Sequence, residues 1–483
     1  MITHIRPRKL FATVISALLL CSCSTWKEPA DTSDELPAIF PDYIGVTIPC
    51  NIAPMNFMVE GAKKIQAEFS TDGVSQLQVI GKDGVLDIPM QEWKKVLREA
   101  AGKAIQISVS VWNEENPEGV RYQPFEMKIA SDCIDDYLVY RLIEPSYIEY
   151  RQLGIYQRHT STFEEEAIIT NRNVLTTCIN CHSFSSNSPE NIMFHIRGPQ
   201  GGTFLYEDDN YRKIDFRKTS LGKNTTYPSW HPEGRYIAFS SNTTHQIFYT
   251  EGRQQVEVFD TASDLVIYDV KTGEVLTDPR FMTAEILETF PTWSPDGKSL
   301  YFASYKASKL PVQFTPDFHY DLVKVSFDPE TGKLGEQVDT LYNTRTNGGS
   351  VSYPRISPDG KYLLYTLSDY GTFPIWHNEA DLKMIDLTTG ENVDIDAWNT
   401  PDQAESYHNW SSNGRWVVFG SRRLDGRFTR LFIAHMDEDG NASKPFLLPQ
   451  EDPRENEWRL KSFNVPEFVT GKVELPKDIN PYE

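Results

Sequence analysis

Four segments of the chain repeat one pattern. Tyr227–Phe239 reads YPSWHPEGRYIAF, Phe290–Phe302 FPTWSPDGKSLYF, Tyr353–Tyr365 YPRISPDGKYLLY and Tyr407–Phe419 YHNWSSNGRWVVF. Each is an aromatic-led strand, a turn closed by a glycine where φ must be positive, and an alternating apolar strand. The turn glycines Gly234, Gly297, Gly360 and Gly414 are 63, 63 and 54 residues apart. A second hairpin follows each copy: DLVIYDVKTGEVL, DLVKVSFDPETGKL, DLKMIDLTTGENV and RLFIAHMDEDGNA. Four strands per repeat predict a β-propeller, its loops lengthening the usual period of about 40–50 residues. Residues 192–217 and the lone strand in 460–470 would join as a closing blade, leaving no open sheet edge. This predicts five blades over residues 190–470, with six as the alternative.

Before the repeats, residues 43–150 hold short strand-like runs with period-2 alternation, among them KIQAEF, AIQISVSVW and DYLVYRLI, and one helical interlude, QEWKKVLREAA. The pattern fits an immunoglobulin-like sandwich, so the whole chain reads as all-β. Cys50 and Cys133 lie near its two ends. In an exported protein they form either a disulfide or two buried thiols.

Export itself is read from residues 1–22. Arg6, Arg8 and Lys9 precede a short apolar run from Leu10 to Leu20, which is the layout of a secretory signal. The run ends in Leu-Cys-Ser-Cys, which resembles a bacterial lipobox with Cys23 as the lipidated residue; a simple secretory signal is the alternative. Residues 23–42 are polar and Pro-containing and suit a tether to the bilayer, and 471–483 form a tail.

Residues 151–189 read as a linker that carries Thr177-Cys178-Ile179-Asn180-Cys181-His182. C-x-x-C-H is the attachment signature of c-type haem: two thiols add to the porphyrin vinyl groups and the adjacent imidazole ligates the iron. A thioredoxin-like pair would call for a βαβ context, and zinc for two more Cys or His nearby. In NIMFHIRG, Met193 and His195 lie two residues apart, so on a strand both face one side and either could be the distal iron ligand. Arg197 is either a partner for a haem propionate or a solvated strand residue. The remaining propeller histidines, His231, His245, His319, His377, His408 and His435, lack metal-ligand spacing. There is no G-x-S-x-G elbow and no P-loop.

A net charge of −21 argues against a nucleic-acid partner, because a phosphate backbone needs a Lys/Arg-rich face. The S-P-D-G-K repeats resemble those of TolB-like propellers. Together with IPCNIAPMNF, YRLIEPSYIEYRQLGIYQR and LKSFNVPEF, they resemble a group of Bacteroidetes envelope lipoproteins described as TolB-like or cytochrome c-related. The resemblance implies one covalent haem c and an envelope location, with the outer membrane expected. The function expected is electron transfer to an envelope redox partner by a membrane-anchored monohaem cytochrome. A scaffolding or binding lipoprotein, with haem sensory or absent, is the alternative.

Overall fold

The computed structural model describes residues 25–144, 152–174, 177–199, 201–207, 210–250, 254, 256–306 and 318–476, without the side chain of Cys181. The signal segment and Cys23 lie outside the described residues.

The chain is all-β, an N-terminal β domain followed by a propeller. Among the described residues six four-stranded sheets make up the propeller, and their innermost strands are Ile179–Phe184, Thr226–Trp230, Ile286–Trp293, Ser350–Ile356, Glu405–Trp410 and Ser462–Val469. Each inner strand packs against the next, and Ser462–Val469 returns to Ile179–Phe184, closing the ring. The count is therefore six where five were expected, because the closing strand has a different partner. Ser462–Val469 pairs antiparallel with Tyr137–Ile143, followed outward by Gly154–His159 and Glu165–Thr170. Residues 179–214 form a complete sheet of their own.

This relocates two boundaries. The run DYLVYRLI belongs to the propeller and not to the N-terminal domain, and 151–189 holds three strands, Gly154–His159, Glu165–Thr170 and Ile179–Phe184, instead of a linker. Alternating strands read alike in either domain, and only long-range pairing assigns them. The expected tether is also partly structured. Asp31–Thr32 pairs parallel with Val120–Arg121, and Ile39 is buried in the domain core. The described start of the tail, residues 471–476, packs too, since Gln157 and the Val473 backbone exchange hydrogen bonds of 2.8 and 2.9 Å.

The repeat chemistry explains the turns. In the copies with Ser-Pro-Asp-Gly, the Ser294 and Ser357 hydroxyls each donate to the aspartate two residues on, at 2.5 Å, and accept the N–H that starts the next strand, at 3.0 and 2.9 Å. At Gly297 (φ 68) a Cβ would lie 2.2 Å from His231 Nε2, a nitrogen that sits 3.0 Å from the Gly297 carbonyl.

All nine strands of the N-terminal domain belong to one hydrogen-bonded network. The helix Met90–Glu99 adds Trp93, Val96 and Leu97 to its core, which continues into the propeller through Trp416, Val418, Leu431 and Ile433. Polar contacts fasten the same junction: Asp135 accepts from the Ser412 backbone at 2.8 Å, and Asn56 Nδ2 donates to Glu451 O at 2.9 Å. Of the two cysteine alternatives the disulfide is formed: Cys50 and Cys133 are bonded, their Cα atoms 5.1 Å apart. The bridge spans 83 residues and ties the N-terminal domain to the chain just before the closing blade. Cys50→Ala/Cys133→Ala is expected to lower stability by about 2–4 kcal/mol. An unchanged urea midpoint under oxidising conditions would refute that role.

Candidate functional site

The propeller axis is lined by a recurring backbone irregularity. Tyr227, Phe290, Tyr353, Tyr407 and Val465 all have positive φ, between 41° and 54°, at the same point of five inner strands. Each is the first residue of a bulge where two residues face one, as the register breaks Thr226/Ser229, Thr289/Thr292, Ser352/Arg355, Ser406/His408 and Val139/Arg141 record. Proline follows in four of the five, where the missing N–H costs no ladder bond. Side chains with a Cβ tolerate this conformation only when their surroundings impose it. Here the rings pack in series: Tyr227–Phe290 centroids are 4.3 Å apart, Phe290–Tyr353 4.1 Å and Tyr353–Tyr407 4.4 Å.

The sixth inner strand breaks register between Asn180 and Ser183, so Cys181-His182 occupies the bulge. The haem-type motif thus reaches the axis within a strand, at the place four of the other blades give to an aromatic and its successor. Residues 181–188, CHSFSSNS, align with YHNWSSNG at 407–414. The blade-to-blade bonds agree with this frame: Trp293 Nε1 donates to Ser229 O at 3.1 Å, and Trp230 Nε1 donates to Ser183 O at 3.3 Å.

Where the aromatic series stops, at Val465 and Cys181, a cavity of about 170 Å³ opens. Cys178, Asn180, His182, Arg141, Arg355 and Asn464 line it, with Tyr227, Tyr353 and Tyr407. A second cavity of about 340 Å³ adjoins it and shares Asn180, Arg197, Thr226, Tyr227 and Thr244.

His182 is 2% exposed, and neither ring nitrogen has a hydrogen-bond partner; the Val465 backbone approaches without bonding geometry. Burial foremost, then the Arg141 guanidinium, holds its pKa down at about 3 against the raising effect of the Val465 backbone, so the ring is neutral. Cys178 is half-buried with a free thiol. The Cys181 side chain lies outside the described set.

The two distal-ligand candidates separate. His195 lines the second cavity; its Nδ1 lies 2.8 Å from Thr203 Oγ1 and its Nε2 is without a partner. Burial, then Arg197, keeps it neutral, with a pKa near 3. Met193 is wholly buried in the apolar core with Leu205, Ile237 and Phe239 and lines neither cavity. On a bulged strand pair, the i and i+2 side chains still share a face, but packing has given them different neighbours.

A free thiol, a neutral imidazole with unspent nitrogens and nearby guanidiniums form a donor set that suits a haem c. The first cavity alone is smaller than the roughly 300–1,000 Å³ of typical ligand clefts. A porphyrin would need the space of both cavities. Among the described residues no group of three or more His, Cys, Asp or Glu is arranged to hold a metal ion without such a macrocycle.

Sequence reasoning missed a buried cluster beside the axial aromatic core, which Val256, Val258, Ile375 and Trp376 join. His377 is 1% exposed, its Nε2 2.9 Å from Glu257 Oε2 and its Nδ1 3.0 Å from Glu379 Oε1. Its partners lie 120 and 2 residues away, and only the nearer one is visible as sequence spacing.

No family model matches the chain. Over 245 residues it is 23% identical to the uncharacterized protein Atu1656 of Agrobacterium fabrum, covering 44% of this chain and 72% of that one. Among solved structures, a puromycin hydrolase has a TM-score of 0.38 at 14% identity, over 64% of this chain and 45% of its own. An oligogalacturonate lyase in complex with manganese scores 0.35 at 13% identity, over 63% and 72%. The chain thus spans under half the length of the puromycin hydrolase. These likenesses carry no functional weight, and the propeller is established by the strand pairing of the chain itself.

Proposed function

We propose that the protein is a membrane-anchored monohaem c-type cytochrome that transfers electrons in the cell envelope, with the propeller as its partner-docking body. The single observation that carries this reading is His182: a fully buried, neutral imidazole with two unpartnered nitrogens, beside the free thiol of Cys178 on one cavity. A buried polar group without a partner costs roughly 1–3 kcal/mol, and a ligand-bound iron would relieve that cost. Cys178 and Cys181 would hold the haem and His182 would ligate it; once bound, the haem supplies a one-electron couple. Of the two distal candidates, His195 is the better placed, because Thr203 fixes its ring and leaves Nε2 open, as second-shell partners of ligating histidines do. The redox partner would be a basic protein, steered by the acidic surface and released by salt. Acylation of Cys23 would hold the chain at a lipid bilayer, with the outer membrane as the proposed location.

A second reading, a TolB-like binding or scaffolding lipoprotein without haem, is favoured by the frame of the repeat. Tyr407-His408 occupies the same bulge as Cys181-His182, and His408 is equally buried with its Nε2 3.2 Å from Leu364 O. The two readings part in a host with haem-attachment machinery. The wild type is expected to show a reduced c-type optical spectrum that survives denaturation, and Cys178→Ala/Cys181→Ala to show none. Identical, featureless spectra from both would leave the second reading.

A further inference from the structure

The axial cavity differs in charge from the rest of the molecule. The chain carries 68 Asp and Glu against 47 Lys and Arg, yet the described lining of the two adjoining cavities includes Arg141, Arg197 and Arg355 and no carboxylate. Elsewhere the propeller pairs its arginines closely: Arg217 with Asp215 at 2.7 Å, Arg235 with Asp269 at 3.1 Å, Arg423 with Glu405 at 3.0 Å. The three cavity arginines have no ion pair within 4.0 Å among the described residues. Arg355 Nη1 donates only to the neighbouring Pro354 carbonyl, at 2.9 Å. Arg141 Nε is buried without a partner. Glu467, whose charge reaches Arg355 without forming an ion pair, accepts a hydrogen bond from the Phe184 N–H at 3.2 Å. Guanidiniums without an ion pair, two of them half-buried (Arg141 and Arg355), are costly unless an anion reaches them, and their planar forks match carboxylate geometry. Tyr353, Tyr407 and Phe373 line the same space, giving it apolar, ring-shaped walls.

We propose that this cavity is a binding site for a planar, aromatic carboxylate, held by Arg141, Arg355 and Arg197 and packed against the axial aromatic rings. The site does not depend on haem attachment. The propionates of an attached porphyrin and a free aromatic acid present the same chemistry, and the test separates them.

The probe is terephthalate, with its uncharged diamide as control, titrated calorimetrically into full-length Cys178→Ser/Cys181→Ser protein, which cannot hold a covalent haem. The result expected is saturable one-to-one binding of terephthalate and none of the diamide. Arg141→Gln and Arg355→Gln should each weaken it by roughly 10-fold, the usual effect of removing one charge-assisted bond. Arg197→Gln, at an exposed position whose substitution leaves the core intact, should weaken it in the same direction. Wild-type protein that carries covalent haem and no longer binds terephthalate would identify the propionates as the natural occupant. Undiminished binding there would identify a free acid. No saturable binding to the haem-free protein, or binding indifferent to all three arginine substitutions, would overturn the site. Haem content is scored separately by spectrum, so failure here and failure of the cytochrome reading are distinguishable.

Discussion

Truncation after Lys461 is expected to prevent the propeller from folding. The lost strand, Ser462–Val469, contributes Phe463, Phe468 and Val469, which are 2%, 0% and 0% exposed. At roughly 1.5–3 kcal/mol for each fully buried apolar side chain, their loss removes about 5–9 kcal/mol. That is comparable with the whole net stability of a domain, about 5–15 kcal/mol. The deletion also strips the inner edge of Tyr137–Ile143, leaving a row of unpaired backbone groups open to aggregation. Circular dichroism and urea unfolding would report it. A truncated chain with an unchanged unfolding midpoint would contradict the closure.

Replacing His377 with leucine is expected to cost about 3–5 kcal/mol, because it leaves the wholly buried Glu257 without its cation. The contact ties the strand Val256–Asp269 to the turn after Pro374–Trp376, so its loss should loosen the long hairpin of the second blade. A pH dependence follows. Burial alone would lower the His377 pKa, but hydrogen bonds to Glu257 and Glu379 outweigh it and raise the value to about 9. A folded-state pKa above the unfolded value of about 6.5 contributes stability that is complete below pH 6.5 and fades as pH rises through 9, on the order of 3 kcal/mol in all. The wild-type Tm should therefore fall between pH 6 and pH 9.5 by more than that of His377→Leu. Parallel curves for the two proteins would refute the assignment.

Four blades were legible because their repeats share signals that act locally: an aromatic at the bulge, a glycine of positive φ and, in three of the four, a serine that closes the turn where the first copy has His231. The other two blades lack one or more of them. The copy at 181–188 has Cys181 in the aromatic position and Ser188 where glycine stands elsewhere, so it read as a cofactor motif in a linker and not as a strand. Its register with YHNWSSNG was the signal available. The closing blade could not be read locally, since Tyr137–Ile143 meets Ser462–Val469 more than 300 residues later. At the site, the motif residues were visible as chemistry, whereas Arg141, Arg355 and the axial tyrosines join them only through ring closure. Period-2 alternation placed Met193 and His195 on one face but was blind to the sheet packing that buries Met193 in the core.

The central claim is that Cys178, Cys181 and His182 hold a haem at the propeller axis. The most direct test is an in-gel haem stain of the denatured full-length protein, expressed with haem-attachment machinery, together with its intact mass. One covalent haem per chain, absent from Cys178→Ala/Cys181→Ala, is the result predicted. An unstained band at the mass of the unmodified polypeptide would contradict it.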